Sequence, residues 1–317
     1  MTPTDRILVM GSGGMVGSAI VRALLSDGYF PSQSAHRDHD LTDPCAVREL
    51  LHWTRPGVVF LAAGLVGGIG ANAARPADFA ETNLLIAANV IPLAYRMDVK
   101  KLVYLGSSCM YQRDAAQPMR EDALLAGVPE DTCRAYAVAK IAGVELCRAF
   151  RAQHGFDALA LAPTNLYGPG DLFREGESHA LAAFVRRFVE ARRDGLASVT
   201  CWGTGTPRRE FMHVDDCAAA CVHFAEMDTR EWAVGADPIN VGTGVDATIA
   251  EVAGLVADTV GYEGEIEWDL SRPDGAPRKL LDVSLARSLG WESRISLADG
   301  VRRAVAWYRE NESTARK

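Results

Sequence analysis

No two of the seven cysteines stand in a CxxC pair: Cys45, Cys109, Cys133, Cys147, Cys201, Cys217 and Cys221 are scattered and odd in number. That argues against a disulfide framework and against a zinc site, so no metal is expected. Cys217 and Cys221, four residues apart in an Ala-rich run, read as helix packing. Positive charge is also short, with 33 Lys and Arg against 41 Asp and Glu for a formal net charge of -8. Such a chain lacks the electrostatic footprint of a general nucleic-acid binder. An anionic small ligand is not excluded, since it needs only a local cluster of cations and amides. No apolar run reaches the roughly 18 residues of a membrane span. MTPTDRILVM has neither the basic start nor the apolar core of a secretory signal, so a soluble, cytoplasmic protein is expected. Internal repeats, low-complexity tracts and Ser- or Gly-rich linkers are all missing.

What is present is a chain of 317 residues, 48% hydrophobic, with room for about two domains. Up to Leu161 short apolar runs alternate with amphipathic stretches. Ile7-Leu8-Val9-Met10, Val58-Val59-Phe60-Leu61, Leu102-Val103-Tyr104-Leu105 and Ala158 to Leu161 read as buried strands. Helical patterns fall after the first run and around residues 46–53, 76–97 and 136–154. Strands without polar alternation, separated by helices, imply a parallel sheet covered on both faces, an α/β doubly wound (Rossmann) fold. After Pro163 the sequence grows richer in Pro, Gly and aromatics (PTNLYGPGDLF, WGTGTPRREF). We read residues 1–163 as a dinucleotide-binding domain and 164–317 mainly as a smaller α/β substrate lobe. Strand-like segments near 211–242 (REFMHVDD, INVGTG) are expected to return to the first domain.

Gly11-Ser12-Gly13-Gly14-Met15-Val16-Gly17 follows the first strand and opens a helix. Gly11, Gly14 and Gly17 allow a tight turn, close approach of backbone to a pyrophosphate and close helix–strand packing. The end of the second strand chooses the cofactor, because an acid there binds the free ribose of NAD. The run Ser32 to Arg37 has no acid before Asp38 and contains Arg37, which leans to NADP(H). Asp40 and Leu41, in Asp40-Leu41-Thr42-Asp43, either border the adenine or belong to the cap of the next helix.

Tyr136 and Lys140 lie at i, i+4 in AYAVAKIAG, on one face of a helix. An ammonium held beside a phenol is expected to lower its pKa toward the working range. Ser107, in Gly106-Ser107-Ser108-Cys109 at the preceding strand end, could bind a substrate carbonyl beside Tyr136. From the residues alone the cysteines, Cys109 among them, read as packing residues.

The segments GGMVGSAI, LVGGIGAN, LGSSCMY, YAVAKIAG, PTNLYGP, REFMHVDD, INVGTGVD and RPDGAPRKLLD resemble, in order and nearly full length, those of the GDP-L-fucose synthases within the extended short-chain dehydrogenase/reductase family. That resemblance implies an NADP(H)-dependent enzyme that epimerises a GDP-4-keto-6-deoxy-hexose at C3 and C5 and reduces it at C4. It implies Ser107, Tyr136 and Lys140 as the hydride-transfer triad, Cys109 as the epimerisation base and His179 as the acid. Leu105, Gly106, Ser108, Pro163, Asn165, Leu166 and His179 then join the glycine loop, Arg37, Asp40, Leu41 and Lys140 on the cofactor side. Arg187, Trp202, Arg209 and Asp274 match positions that hold the nucleotide sugar, and a homodimer through the two long helices is implied. Three departures concern the cofactor and the sugar: Gly13 and Leu65 replace an arginine and a lysine found in many members, and Gln112-Arg113 replaces proline and lysine. The rival readings are a sister enzyme for another NDP-4-keto sugar, such as a deoxysugar or heptose, and a non-catalytic dinucleotide-binding scaffold. The complete set of five catalytic candidates weighs against the second.

Overall fold

The computed structural model describes Met1 and residues 5–230, 232, 238–272 and 274–315. Part of the segment expected to return (231 and 233–237) and Pro273 of the RPDGAPRK run lie outside the described residues. In chain order the elements are β1 (Ile7–Met10), α1 (Met15–Ser26), β2 (Ser32–Ser34), α2 (Pro44–Thr54), β3 (Val58–Leu61), α3 (Ile69–Ala74), α4 (Pro76–Arg96), β4 (Lys101–Leu105), α5 (Arg134–His154), β5 (Asp157–Pro163) and β6 (Asn165–Tyr167). They continue with α6 (Ala180–Asp194), β7 (Ser198–Trp202), β8 (Arg208–His213), α7 (Val214–Ala225), β9 (Ile239–Val241), β10 (Asp246–Thr248), α8 (Ile249–Val260), β11 (Glu265–Asp269), β12 (Arg278–Lys279), α9 (Ser284–Ser288) and α10 (Leu297–Asn311).

Six strands form a parallel sheet in the order β2-β1-β3-β4-β5-β9. Successive side chains point to opposite faces, and both faces are apolar. Leu8, Met10, Val59, Leu61, Leu102 and Tyr104 pack with residues of α2, α4 and α5. Ile7, Val9, Phe60, Val103 and Leu159 pack with residues of α1 and α7. This double burial is why the strands read as unbroken hydrophobic runs. The strands being parallel, their C-terminal edges share one side, and the order of progression reverses between β1 and β3, opening there the crevice where ligands sit in such sheets. A third apolar cluster, with Phe184, Phe188, Val252, Val256 and Tyr308, joins α6, α8 and α10.

Within residues 211–242, α7 packs on the first sheet and β9 pairs with β5, and farther on Ala286 of α9 enters the second cluster. The REFMH strand does not join that sheet, although its Met212 packs in the same apolar cluster. β8 pairs instead with β6, β10 and β12. Glu210 helps tie it there: its fully buried carboxylate accepts hydrogen bonds from the backbone N–H of Thr243 (2.6 Å), Gly244 (2.7 Å) and Leu281 (3.0 Å). Burial pushes its pKa up while those N–H donors oppose the shift. β9, not β8, then fills the sheet position beside β5.

Candidate active site

A cleft of about 810 Å³ runs along the C-terminal ends of β1 to β5, between the sheet and the smaller lobe. Gly11 has φ +85°, and a Cβ there would lie 2.7 Å from the Ala63 backbone. A Cβ on Gly17 would lie 2.1 Å from the Gly11 carbonyl oxygen. Glycine is therefore obligatory at both positions, for the turn and for the approach of α1 to β1. Gly14 precedes α1 with no side-chain cap, and the first turn of the helix carries no acid. Its free N–H groups and positive dipole end open onto the cleft, the arrangement that suits a phosphate.

Gly11, Gly13, Gly14, Met15 and Val16 line this end, while Gly17 is buried behind them. β2 ends at Ser34, whose carbonyl accepts from the N–H of Gly11 (2.8 Å) and Ser12 (3.1 Å). Beyond it Arg37 borders the cleft with its side chain 88% exposed. Asp40 and Leu41 also line it. The Asp40 carboxylate accepts from the Thr42 N–H (2.9 Å) and hydroxyl (2.8 Å), which hold its pKa down. Asp40 thus fixes the turn before α2, and Asp43 caps that helix through the Cys45 N–H (2.8 Å).

At the middle of the cleft stand Ser107, Tyr136 and Lys140, with Leu105, Gly106, Ser108, Pro163, Asn165 and Leu166 around them. The Lys140 ammonium donates to the Leu105 carbonyl (2.9 Å) and sits 5.8 Å from the Tyr136 ring centre. Burial pushes its pKa down to about 8. The Ser107 hydroxyl accepts from the Cys109 N–H (3.1 Å) and hydrogen-bonds Tyr136. The expected lowering of the Tyr136 pKa is not what the structure holds. Burial, then the nearby Cys109 charge, push the phenol up, against the opposing Ser107 bond. Desolvation outweighs a lysine committed to a backbone carbonyl, so Tyr136 is kept neutral as a proton donor. Asn165 donates to the Glu210 carbonyl (2.8 Å) and ties this wall to β8.

Cys109 packs against Ala71, Phe79 and Tyr136. Its pKa is held well below the usual thiol value, first by a hydrogen bond from the Cys133 thiol, then by the charge of Lys279, the Ser107 hydroxyl and His179, all against burial. His179 precedes α6, makes no capping hydrogen bond with its side chain and lines the cleft. Three residues here escaped the sequence reading. Cys133 belongs to the site and not to a packing core. Lys279 pairs in register with Arg209 across β12 and β8. Glu130 lines the same wall, with its buried Oε2 unpaired in the ligand-free structure. The APRK run contained a signal for Lys279, a basic residue beside a predicted substrate-lobe turn; Cys133 and Glu130 had none. Cys45 is exposed, so it too is no packing residue.

The four sugar-side candidates separate. Arg209 lines the cleft, and burial lowers its pKa while Glu130, Cys109 and Asp274 oppose that shift. Arg187 donates to the Thr200 carbonyl (2.8 Å) and lies over Trp202 at 5.9 Å, with Arg272 over the same ring at 4.9 Å. Trp202, half exposed, and these two guanidiniums form a shelf outside the cleft proper. Asp274 accepts from the Thr204 N–H (3.0 Å) and hydroxyl (2.7 Å), so its carboxylate clamps the turn after β7. Of the three departures, Leu65 is held by its carbonyl, which accepts from Asn83 (3.0 Å). Gly13 faces Ala35, whose Cβ would stand 3.1 Å from an added Cβ.

Residues 7–242 match the NAD dependent epimerase/dehydratase family. The chain is 48% identical over 307 residues to GDP-L-fucose synthase 1 of Arabidopsis thaliana, covering 96% of this chain and 94% of that protein. A GDP-6-OMe-4-keto-L-xylo-heptose reductase from C. jejuni superposes with a TM-score of 0.91 at 33% identity, covering 98% of this chain and 99% of that one. A GDP-L-fucose synthetase from Naegleria fowleri bound to NADP superposes with a TM-score of 0.87 at 25% identity, covering 100% and 98%.

Proposed function

The chain belongs to the NAD dependent epimerase/dehydratase family, and from that premise we propose that it is an NADP(H)-dependent enzyme that epimerises a GDP-4-keto-6-deoxy-hexose at C3 and C5 and then reduces its C4 ketone. The observation that carries this reading is the placement of Cys109 and His179 on the same cleft as Ser107, Tyr136 and Lys140, with the Cys109 pKa held below the usual thiol value by Cys133 and Lys279. A reductase alone needs no such base.

The residues present fit the dinucleotide. The glycine loop has no space for side chains at Gly11 and Gly17, and α1 offers an uncapped N-terminus without acids. Gly13, Gly14, Met15 and Val16 would hold the pyrophosphate, Arg37 the 2′-phosphate and Lys140 the nicotinamide ribose. When bound, NADPH supplies the hydride.

The C4 ketone acidifies the C–H bonds on either side of it, so epimerisation precedes reduction. Ser107 and Tyr136 hold the ketone oxygen. The Cys109 thiolate removes the proton from C3 or C5, leaving an enol or enolate, and His179 returns a proton to the opposite face. Tyr136, kept neutral by burial, gives its proton to the C4 oxygen in the reductive step. Arg209 and Arg187 bind the diphosphate, since a guanidinium can pair two oxygens at once, and Trp202 offers a flat face to the sugar or base. Locally gathered cations thus serve an anionic substrate on an acidic chain.

Incubation with GDP-4-keto-6-deoxy-mannose and NADPH in deuterated water tests the reading. Cys109→Ser is expected to suppress deuterium uptake at C3 and C5, and Tyr136→Phe to slow reduction by about 10²–10⁴-fold. Uptake at the wild-type rate in Cys109→Ser would remove the proposed base. A second reading, reduction of a related 4-keto heptose alone, is favoured by the likeness to the heptose reductase; it predicts a reduced product with no deuterium at C3 or C5.

We also propose a homodimer. Leu84, Leu85, Ala88, Ala142, Leu146 and Ala149 line an apolar groove between α4 and α5, where Leu84 and Leu85 are exposed. A second copy of the same helix pair would cover it, and sedimentation should give the mass of two chains. No described helix is long and apolar enough to cross a membrane; a cytoplasmic setting is our reading.

A further inference from the structure

Between β3 and α4 the chain runs through Gly67, Gly68 and Gly70 of the LVGGIGAN segment. None of the three has a positive φ, so conformational freedom is not what glycine provides there. What it provides is space. A Cβ added to Gly68 would lie 2.6 Å from the Ser178 carbonyl oxygen, and one on Gly70 would lie 2.9 Å from that of Gly176. The Gly68 N–H also donates to the Glu177 carbonyl (2.8 Å). The residue after Ser178 is His179, the proton donor of the epimerisation proposed above, which lines the cleft just before α6. We propose that Gly68 is a positioning residue for His179: its bare Cα and its N–H let residues 176–178 lie directly on the loop and so set where the imidazole stands in the cleft.

The way each side is held makes the loop the template and the facing segment the follower. Asn72 of α3 donates from its side chain to the carbonyls of Gly67 (2.8 Å) and Gly68 (3.1 Å), and its N–H also reaches the Gly68 carbonyl (3.1 Å). Asn83 of α4 donates to the carbonyls of Leu65 (3.0 Å) and Phe79 (2.8 Å). Both asparagines are buried, so these bonds are made away from water and are costly to leave unmade. Residues 174–178, by contrast, are fastened largely to themselves. The Glu177 N–H, the Ser178 N–H and the Ser178 hydroxyl all return to the Arg174 carbonyl (3.3, 3.1 and 2.9 Å). Arg174 to Gly176 are exposed, and the partly exposed Arg75–Glu177 ion pair (3.4 Å) adds little. On its other side His179 is tied to α6, where the Ala183 N–H bonds its carbonyl (2.9 Å). A push from position 68 therefore moves 176–178, which carry the imidazole with them. An oxygen met at 2.6 Å has to retreat by close to an ångström to reach ordinary contact. Misplacement on that scale at a proton-transferring group costs about 10²-fold.

This inference rests on His179 being the proton donor, and the two fail separately. The full chain is given GDP-4-keto-6-deoxy-mannose and NADPH, and product inverted at C3 and C5 is measured against product reduced without inversion. The C4 ketone can accept hydride in either case, so a general loss of folded enzyme lowers both products together and leaves their ratio alone. Gly68→Ala is expected to lower the inverted-to-retained ratio by about 10–100-fold. Gly70→Ala, at the exposed edge of the loop, should act in the same direction but less, and serves if the first variant is insoluble. In ligand-free chain carrying ¹³C-labelled histidine, the His179 ring resonance is assigned by its absence in His179→Gln. It should shift in both glycine variants while those of the other six histidines stay. A wild-type ratio or an unmoved His179 resonance overturns the proposal. If His179→Gln itself keeps the wild-type ratio, the proton-donor reading falls, and the resonance alone decides whether Gly68 places the ring.

Discussion

The two ends of the cleft recognise their ligands by opposite means. At the glycine end the backbone does it: the loop offers N–H groups, excludes side chains, and carries no charge of its own, Arg37 and the Thr42-bonded Asp40 lying beyond it. At the reactive end side chains do it: Cys109, Cys133, His179, Arg209, Lys279, Lys140 and Tyr136 crowd into one region, where the charge of Lys279 favours a Cys109 thiolate and burial disfavours charge on Lys140. A backbone site fails through shape, and a side-chain site fails through charge. Substitution at the first should therefore act on folding and cofactor affinity together, whereas the second should respond to pH.

The strongest break is Gly17→Ala. The added Cβ would meet the Gly11 carbonyl at 2.1 Å, contact with backbone that cannot swing aside. We expect loss of measurable NADPH binding by fluorescence titration and destabilisation of about 2–3 kcal/mol in chemical unfolding. A variant with normal affinity would mean that close helix–strand packing is not what shapes this end.

At the reactive end the buried Lys140 gives a pH signature. Its folded pKa of about 8 lies below the 10.5 of a free lysine. Between those values the unfolded chain binds more protons, so stability rises with pH across about 8 to 10.5; below 8 the cost of the buried charge is fully present. Relative to Lys140→Met, the ligand-free wild type should gain roughly 3 kcal/mol over that window in denaturant titrations. A pH-independent difference would show that the ammonium is well solvated. The smallest effect expected is at the one cation of the glycine end. Arg37→Ala should weaken NADPH by about tenfold and leave NADH unchanged; equal losses for both would place the arginine away from the 2′-phosphate.

The same contrast explains how much could be read beforehand. β1, β3, β4 and β5 were legible because burial on both faces leaves a continuous apolar run. The glycine loop and the Tyr136–Lys140 pair were legible because their geometry is local, fixed within one turn or one face of a helix. β8 misled: Phe211 and Met212 look like a central strand, but the partners of Glu210 that capture it lie 33 and 71 residues away. Cys133 and Glu130 reach the site through a turn with no pattern of its own. Lys279 arrives through the register of β12 on β8. Tyr136 lines the cleft near Lys140 as their spacing suggests, but burial raises its pKa where a lowering was expected, because local spacing brings the lysine near without saying how dry the pair is.

Glu210 also bears on inheritance. Its carboxylate fastens residues 243, 244 and 281 to β8, just where the chain passes between the sheet and the lobe. The substrate-facing part is thus threaded from several separate stretches that have to be exchanged together. A chimera meant to change the sugar would have to carry 164–213 together with 243–281, or leave a buried carboxylate facing strangers. A single crossover after Pro163 carries Glu210 and its three backbone partners together, whereas one between 213 and 243 separates them.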